Sequence, residues 1–468
     1  MALDNKEIAL SLNDHILRKK NANMSEQKLE RKITLLQATA INMTDMVGIG
    51  PFVVLSIVAQ TINGPGFLYA WLAGALLSIV DAMVWSQLGA TYPLAGGSYN
   101  FLKEGYGPRW GKLMSFLFVW QTMIQAPLVI ASAAIGFAQY AGYLTPLNDM
   151  AHKAVSGTVV IMIVFLLYRK IEAIGKISVL LWMGVLVTMA WIIGGGMMHG
   201  NFLQPIKDIN NGLQLNHAFA AAIGFASVKT VYSYLGYYNV CHLGGEIIDP
   251  KKNIPKSMFI SIAGIAVLYL LMNVSVASVL PLEQIQKSSF VVSEFIKAIA
   301  GPTAAIIATI LILWVAFASV FSATLGYSRV PYAAASDGAF FKVFARLHPT
   351  KNFPYVSLLV LGGIAFVFSL LFKLGDVITA ILAMRILIQF IAQTVGLLIL
   401  VKQKGKDHFA WRMPLYPLPA ILAILFWGFV FYSTGTRMML GGLLVIALGI
   451  IAYLIKSKKN DEWPFDSR

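Results

Sequence analysis

The stretch Asn42-Met43-Thr44-Asp45-Met46-Val47-Gly48-Ile49-Gly50-Pro51-Phe52 interrupts the first long apolar segment of the chain. Two glycines followed by a proline destabilise a helix interior, because Pro51 has no amide hydrogen and disfavours helical backbone at Gly50. An acidic residue, Asp45, lies among the apolar neighbours of these glycines. The stretch therefore predicts a broken helix with a charged group beside the break.

The composition of the whole chain predicts that this break lies inside a membrane. Of the 468 residues, 58% are hydrophobic and 12% are charged, and the mean hydropathy is +0.72. Soluble domains contain about 45–50% apolar and about 25% charged residues, so a water-soluble fold would expose large apolar patches. A membrane-spanning helix needs roughly 20 apolar residues, which gives about twelve segments here. They are 34–60, 65–92, 108–142, 151–169, 173–198, 216–243, 256–280, 301–332, 354–372, 376–402, 415–434 and 437–455.

The basic residues predict how these segments are oriented. The formal net charge is +15, and most of the lysines and arginines fall on one side when the turns are counted from the N-terminus. This positive-inside bias predicts a multi-pass protein of the cell membrane with both termini in the cytoplasm and no nucleic-acid partner. The predicted parts are an N-terminal tail at 1–33, a membrane domain at 34–455 and a C-terminal tail at 456–468. The basic clusters are Arg31–Lys32, Lys103–Lys112, Arg169–Lys176, Lys251–Lys256, Arg346–Lys351, Lys402–Arg412 and Lys456–Lys459.

A second interruption lies in the sixth segment, at Tyr232-Ser233-Tyr234-Leu235-Gly236-Tyr237-Tyr238. Irregular backbone at membrane depth is tolerated only where protein or a wet cavity satisfies its polar groups. Breaks in the first and sixth segments are typical of an inverted repeat with a binding site at the midplane. The half-helix ends would offer free amides to a carboxylate and free carbonyls to an amine or cation. A packed glycine–proline kink is the alternative for either break alone.

At four motifs, the chain resembles the amino acid–polyamine–organocation (APC) family. The four motifs follow one another in the family's order and together span roughly residues 30–340. The corresponding family patterns are G-S-G-I-F, L-G-x-x-x-P-x-x-G-G-x-Y, an acidic residue followed by N-P-x-x-N-I-P, and R-x-x-x-x-x-A-x-D-G. They are Gly48-Ile49-Gly50-Pro51-Phe52, Leu88-Gly89-Ala90-Thr91-Tyr92-Pro93-Leu94-Ala95-Gly96-Gly97-Ser98-Tyr99, Glu246-Ile247-Ile248-Asp249-Pro250-Lys251-Lys252-Asn253-Ile254-Pro255 and Arg329 through Gly338.

The resemblance implies an all-α polytopic membrane protein with a LeuT-type 5+5 inverted repeat and discontinuous helices 1 and 6. The repeats would occupy about 34–198 and 216–402, and two extra helices would follow at about 415–455. It also implies a secondary active transporter that moves amino acids by alternating access. A polyamine or other organic-cation transporter of the same fold is the alternative.

The family places the substrate carboxylate at the first break and the amine at carbonyls of the second break. Tyr232 occupies the position of an aromatic gate over the substrate. Ile49 replaces the small residue usually found between the glycines, Pro51 removes an amide, and Gln87 replaces a common acidic residue, which would weaken an inner-gate ion pair. The candidate substrate-binding residues of the two breaks are Gly48, Ile49, Gly50, Tyr232, Ser233, Tyr234, Leu235 and Gly236.

Four ionisable residues, Asp45, Asp81, Lys229 and Arg385, fall well inside predicted segments. Such residues are costly in a membrane and mark functional sites by default. Two acids and two bases invite pairing, and a structural ion pair is the alternative role, above all for Asp81.

Asp45 precedes Gly48 by almost one helical turn and faces similarly. It could bind a substrate ammonium, pair with a base or carry a coupling proton. Arg385 in the tenth segment could clamp a substrate carboxylate or neutralise Asp45. Lys229 could pair with Asp45 or guard the outer vestibule, although snorkelling to the interface is the plainer interpretation.

Polar residues on other segments complete the predicted site. Gln125 in the third segment falls near a polar substrate contact of the family. Ser319 in the eighth segment is at the right depth for a sodium site together with the carbonyls near Asp45. Proton coupling through Asp45, sodium coupling and exchange all stay open, with the proton favoured.

Other classes of protein lack support in the sequence. The histidines are scattered over loops and helix ends without spacing for a metal, so neither an enzyme nor a metal or other cofactor is expected. No filter-like repeat predicts a channel. The expected partners are an amine or amino acid substrate, the lipid bilayer and a coupling proton or sodium ion, while the oligomeric state is open.

Overall fold

The computed structural model describes residues 29–62, 64, 66–207 and 217–465. Most of the predicted N-terminal tail, the first residues of the second and sixth segments and the last three residues of the C-terminal tail lie outside this range. The described chain is helical, and its β-structure is confined to isolated bridges such as Ile33 with Ile247. The helices are α1 (Leu35–Met46), α2 (Gly50–Ile62), α3 (Phe67–Thr91), α4 (Ser98–Gly105), α5 (Gly107–Ala141), α6 (Asp149–Leu167), α7 (Ile171–His199), α8 (His217–Tyr234), α9 (Asn239–His242), α10 (Pro250–Ala277), α11 (Leu282–Lys287), α12 (Val291–Tyr327), α13 (Arg329–Ser336), α14 (Tyr355–Leu371), α15 (Leu374–Arg385), α16 (Gln393–Lys404), α17 (Leu418–Ser433) and α18 (Thr436–Lys459).

The lengths and composition of these helices confirm an all-α polytopic membrane protein. Within the described residues, eight helices are long and apolar enough to cross a membrane, and α1 with α2 makes a ninth span. Shorter apolar helices, α14 and α17, coincide with the ninth and eleventh predicted segments. Every predicted segment therefore corresponds to one helix or to a broken pair.

The first segment is broken where its glycines predict. Thr34 starts α1 with a capping box, in which its side chain accepts from the Gln37 amide and the Gln37 side chain accepts from the Thr34 amide. The helix stops at Met46 because Val47 leaves helical backbone, with ψ 70°. The next helix, α2, begins at Gly50 and is bent by 44° from α1.

The second break separates α8 from α9. Gly236 adopts φ +123°, a conformation that strains any residue with a Cβ atom. The Asn42 side chain on α1 accepts from the Val240 amide at 3.0 Å and so satisfies a donor at the start of α9. The short helix α9 is therefore held in place by the first broken helix.

One helix agrees with the prediction in its start, and another differs from it. Gly301 leaves helical backbone, with φ +84° and ψ 178°, so the long part of α12 begins at Pro302, next to the predicted start of the eighth segment, and a shorter helical stretch from Val291 precedes it. The tenth segment contains a π-helical stretch, Ile386–Ala392, between α15 and α16. Such π-turns leave no signal in apolar periodicity and often accompany functional sites.

The two broken helices occupy the centre of the bundle. Helix α1 packs against α7, α10 and α12, while α8 packs against α2 and α3. Around the second break, Tyr234 and Tyr237 are fully buried, and Trp71 on α3 contacts Tyr234 edge-on. This packing surrounds both breaks with protein and leaves a polar cavity between them.

Candidate functional site

A cavity of about 60 Å³ lies between the two breaks. It collects most of the predicted site residues from α1, α2, α8, α12 and α15. The predicted residues that line it are Asp45, Gly48, Ile49, Gly50, Tyr232, Ser233, Leu235, Gly236, Ser319 and Arg385. Residues that the sequence did not single out as site residues also line it, namely Met46, Val129, Ser132, Ala133, Tyr238, Ala323, Tyr327 and Ile381.

The first break presents a row of backbone amides. Within the described chain, the amides of Gly48, Ile49, Gly50 and Phe52 donate to no backbone carbonyl, whereas the flanking Val47 and Val53 amides do. The side chain of Ile49 packs against Gly136 on α5, where an added Cβ would lie 2.6 Å from Ile49 Cγ2. The bulk of Ile49 is thus directed at α5, and its amide stays available to an anion.

The second break docks directly on the first. A Cβ at Gly236 would lie 2.8 Å from Met46 N and 2.9 Å from the Asp45 carbonyl carbon. The buried hydroxyl of Tyr269 on α10 lies 2.8 Å from Met46 O and 3.0 Å from Ser233 O, one carbonyl from each break. The glycine and the tyrosine therefore fix the distance between the two half-helix ends.

Asp45 and Arg385 share the cavity without forming an ion pair. No Lys, Arg or His nitrogen in the described chain lies within 4.0 Å of the Asp45 carboxylate, nor does any described side chain donate to it. The Arg385 guanidinium is 2% exposed and donates to the Tyr238 hydroxyl through Nη1 and to the Tyr327 hydroxyl through Nη2, the latter at 2.6 Å. Its Nε is buried and has no partner among described residues.

The predicted pairing of the remaining intramembrane charges is not found. Asp81 is 1% exposed and accepts from the Tyr237 hydroxyl and from Trp427 Nε1, the latter at 2.8 Å, and it forms no ion pair with any residue that the structure describes. Lys229 is half-buried, forms no ion pair within the described chain and does not line the cavity. Asp81 therefore has two neutral donors in place of a cation. They are the Tyr237 hydroxyl, next to the second break, and the Trp427 indole on α17.

Three predicted site residues lie outside the cavity lining. Lys229 precedes the cavity residue Tyr232 by about one turn of α8. Tyr234 is also outside the lining, and its hydroxyl donates to Trp71 O at 3.2 Å. Gln125 is fully buried and donates to the Tyr327 hydroxyl at 3.4 Å. Gln125 therefore touches a cavity residue instead of the cavity itself.

Tyr327 and Tyr238 are the main residues that sequence reasoning missed as site residues. Tyr238 is the last residue of the second interruption, two residues after Gly236, and Tyr327 lies two residues before the Arg329 motif. Nothing in either motif indicates that their hydroxyls converge on an arginine from the tenth segment, since that contact depends on how three helices pack.

Hydroxyl groups from α12 meet the end of α1. Ser319 Oγ donates to the Asp45 carbonyl at 3.4 Å, and Thr44 Oγ1 lies 2.6 Å from Ser322 Oγ. Gly48 faces Ser319, whose Oγ would lie 2.6 Å from an added Cβ. These contacts bring Ser319 and the carbonyls near Asp45 together, as the sequence predicts for an ion-binding position.

Two of the motifs meet in a buried ion pair. Glu246 accepts two hydrogen bonds of 2.8 Å from Arg329, and both side chains are almost fully buried. On the same side, Arg31 donates to the Gly244 and Ile247 carbonyls at 3.0 Å. Gln87, where the family commonly has an acid, instead accepts from the Met413 amide at 3.1 Å. The ion pair joins α13 to the segment that follows the second break.

Comparisons with known proteins agree with this architecture. A family model described as "Amino acid permease" matches residues 33–436. The serine/threonine exchanger SteT of Bacillus subtilis is 25% identical over 87% of this chain and 91% of its own length. The human cystine/glutamate transporter is 25% identical over 85% of this chain and 79% of its own.

A third relative, the branched-chain amino acid permease BcaP of Bacillus subtilis, is 23% identical over 94% of this chain and 96% of its own length. The family model covers both breaks, the buried ion pair and all ten cavity residues that the sequence predicts. The chain therefore belongs to the amino acid permeases of the APC family and transports amino acids across a membrane.

Proposed function

We propose that this permease carries a small amino acid whose side chain bears an oxygen atom. The observation that supports this substrate class most directly is the cluster of donors formed by Arg385, Tyr238 and Tyr327 on one wall of the cavity. Each tyrosine oxygen accepts from the arginine, which leaves its hydroxyl proton to donate elsewhere, either to the neighbouring tyrosine or to a substrate oxygen.

The size of the cavity favours a small substrate. One water needs about 10–15 Å³ of such volume, and the cavity measures about 60 Å³. It therefore has room for on the order of five non-hydrogen atoms, which is close to the size of alanine or serine. A leucine or phenylalanine side chain would require the cavity to expand.

The remaining walls suit the charged groups that all amino acids share. The free amides from Gly48 to Phe52 can bind the α-carboxylate at the positive end of α2. The Asp45 carboxylate can accept from the ammonium, and the buried, unpartnered Ser233 hydroxyl lies on the same cavity. Arg385 then faces the substrate side chain and contributes an attraction to oxygen acceptors.

Two of the three relatives are named for substrates of this class, whereas BcaP is named for branched-chain amino acids, which have no side-chain oxygen. The two are the serine/threonine exchanger and the cystine/glutamate transporter, whose named substrates carry oxygen atoms beyond the α-carbon. The polyamine and organic-cation alternative is not favoured, because these relatives are amino acid permeases and exchangers and because a buried arginine repels a cation that carries no carboxylate to offset its charge.

The test is uptake by proteoliposomes of labelled serine, threonine, aspartate, alanine, leucine and putrescine. We expect serine or threonine to be preferred over alanine, and the preference to fall at least tenfold in Tyr327→Phe, which removes one donor. Tyr432→Phe, on an exposed tyrosine of α17, is the matched control. Preference for leucine, or an unchanged serine-to-alanine ratio in Tyr327→Phe, would exclude the proposed substrate class.

We further propose that Asp45 carries a coupling proton. Its carboxylate is partly accessible from the cavity and is not neutralised by an ion pair in the described chain. In Asp45→Asn proteoliposomes, an imposed proton gradient should no longer drive accumulation. Exchange of internal for external substrate should persist with a weaker affinity, because the asparagine oxygen can still accept from the ammonium but carries no charge. Sodium-driven uptake that is lost in Ser319→Ala would instead assign the coupling ion to the Ser319 and Asp45 carbonyl position.

The orientation and the membrane complete the proposal. We infer that the protein resides in the cell membrane with both termini in the cytoplasm, supported by the clustering of lysines and arginines on one side of the chain. Protease protection of an epitope added after residue 468 in sealed cells would test this orientation.

A further inference from the structure

A group of buried polar side chains below the cavity lacks hydrogen-bond partners. Each is at most 2% exposed, so none reaches solvent in this state. Among the residues that the structure describes, both amide atoms of three glutamines and the amide oxygen of a fourth have no partner, and a histidine beside them has only a Gly96 backbone contact at its ring. The residues are Gln121 and Gln125 on α5, His242 on α9, Gln389 in the π-helical stretch and Gln393 on α16.

Two members of the group, Gln125 and His242, contact the cavity residue Tyr327. The Tyr327 hydroxyl, which accepts from Arg385, also accepts from Gln125 at 3.4 Å. The His242 ring is centred 5.5 Å from the Tyr327 ring. Gln121 lies four residues before Gln125, on the same face of α5, and Gln389 lies in the π-helical stretch that follows Arg385.

The two helices that carry these glutamines pack together. Helix α5 contacts the π-helical stretch, and Phe118 and Ile388 belong to one apolar cluster. Phe118, three residues before Gln121, also stacks on the His242 ring at 6.4 Å. The polar side chains therefore lie within one region between α5, α9 and the tenth segment.

This region extends towards the face of the membrane domain that is rich in lysine. Lys402 follows Gln393 by nine residues, or about 14 Å of helix. At this face, Lys404 pairs with Glu104 at 3.5 Å and Lys103 pairs with Asp337 at 2.6 Å. These pairs tie the ends of α16 and α13 to α4. The polar side chains thus run from the cavity towards this lysine-rich face.

The energetic cost of these groups argues against a purely structural role. A buried polar atom without a partner costs about 1–3 kcal/mol, and packing alone would be served better by leucine at the same positions. Adjacent residues show that the local backbone can satisfy polar groups, because Thr122 donates to Phe118 O and Thr394 donates to Phe390 O, both at 2.7 Å. On these helices, the polar atoms without a partner are therefore those of the glutamines and not those of the adjacent threonines.

We propose that Gln121, Gln125, His242, Gln389 and Gln393 line the half of the transport route that connects the substrate cavity to the lysine-rich face. In the present state the helices close this half. When they part, water and then the substrate's polar groups satisfy the amide and imidazole atoms. The proposal rests on transport through the cavity described above, and it does not depend on which amino acid is carried.

Cysteine accessibility tests the proposal directly. Cys241 is the only cysteine, so Cys241→Ala supplies a background without thiols. In it, Gln121→Cys and Gln393→Cys are compared with Thr122→Cys and Thr394→Cys, which are equally buried neighbours on other sides of the same helices. A charged, membrane-impermeant methanethiosulfonate is added to the lysine-rich face in inside-out vesicles.

We expect the two glutamine positions to react at least tenfold faster than their threonine neighbours, and to be protected when the substrate identified by uptake is bound. Equal rates at all four positions, or no reaction at the glutamine positions, would overturn the proposed route. The absence of reaction at the glutamine positions is the result expected if these side chains form a closed polar pocket that never opens to the lysine-rich face.

Leucine substitutions provide an independent readout. Gln121→Leu and Gln389→Leu should unfold at the same temperature as the wild type or a higher one, because they remove unsatisfied groups, yet transport should fall at least tenfold. A structural role predicts the reverse, with lower thermal stability and transport reduced only in proportion to folded protein. The labelling rates do not depend on which amino acid the protein prefers. An error in the proposed route can therefore be distinguished from an error in the proposed substrate class.

Discussion

Substitution of Gly236 by alanine is predicted to disrupt the site more severely than any other single methyl addition at the breaks. The glycine has φ +123°, and a residue held in such a sparsely populated backbone region costs about 1–3 kcal/mol. The new Cβ would also lie 2.8 Å from Met46 N and 2.9 Å from two atoms of Asp45, of which one is backbone. Overpacking of this kind typically costs a further ~1–3 kcal/mol.

The two costs together predict a loss of about 2–6 kcal/mol in the free energy of unfolding. Alternatively, the second break moves away from the first, and the cavity loses its geometry while the fold persists. Both outcomes abolish transport. The assays are thermal unfolding of the purified protein in detergent and uptake in proteoliposomes, which separate destabilisation from displacement.

Gly428→Ala on α17 is the matched control, because no atom lies within 4 Å of its added Cβ. There, replacement of glycine within a helix should stabilise by up to about 1 kcal/mol. If Gly236→Ala transported like the wild type at unchanged stability, the close docking of the two breaks would be refuted.

Three further substitutions test other contacts. Arg329→Gln should destabilise by about 3–5 kcal/mol because it leaves Glu246 buried without its partner, and the loss should appear as a lower unfolding temperature. Trp427→Phe should cost about 1–3 kcal/mol, since one oxygen of the buried Asp81 loses its donor, and thermal unfolding would show it. Tyr269→Phe should cost a similar ~1–3 kcal/mol and lower uptake more than stability, because its hydroxyl joins carbonyls of both breaks.

Each of these has an outcome that contradicts it. An Arg329→Gln protein as stable as the wild type would mean that the ion pair contributes nothing to the closed state. For Trp427→Phe, unchanged stability would show that Asp81 finds another donor. Equal losses of stability and uptake in Tyr269→Phe would remove its proposed role in setting the distance between the breaks.

The sequence by itself determined the class of the protein and the positions of its irregular backbone. Apolar runs long enough to cross a bilayer can be read without knowing their neighbours, because a membrane helix satisfies its own backbone. The same holds for Gly48, Gly50 and Pro51, whose effect on a helix is local. The four motifs then indicated the family, which the family model confirms over residues 33–436.

Only the tertiary structure decided which charged groups meet. The sequence offered two acids and two bases as partners, whereas Asp81 is held by Tyr237 and Trp427, and Arg385 is held by Tyr238 and Tyr327. These contacts join residues more than 50 positions apart, and hydrogen bonds across helices depend on axial shift and rotation that periodicity does not specify. The π-helical stretch after Arg385 adds a local change of rotation that no apolar pattern reveals. For that reason, the sequence located the broken helices, while the packing of α5, α12 and the tenth segment determined which polar groups surround the substrate.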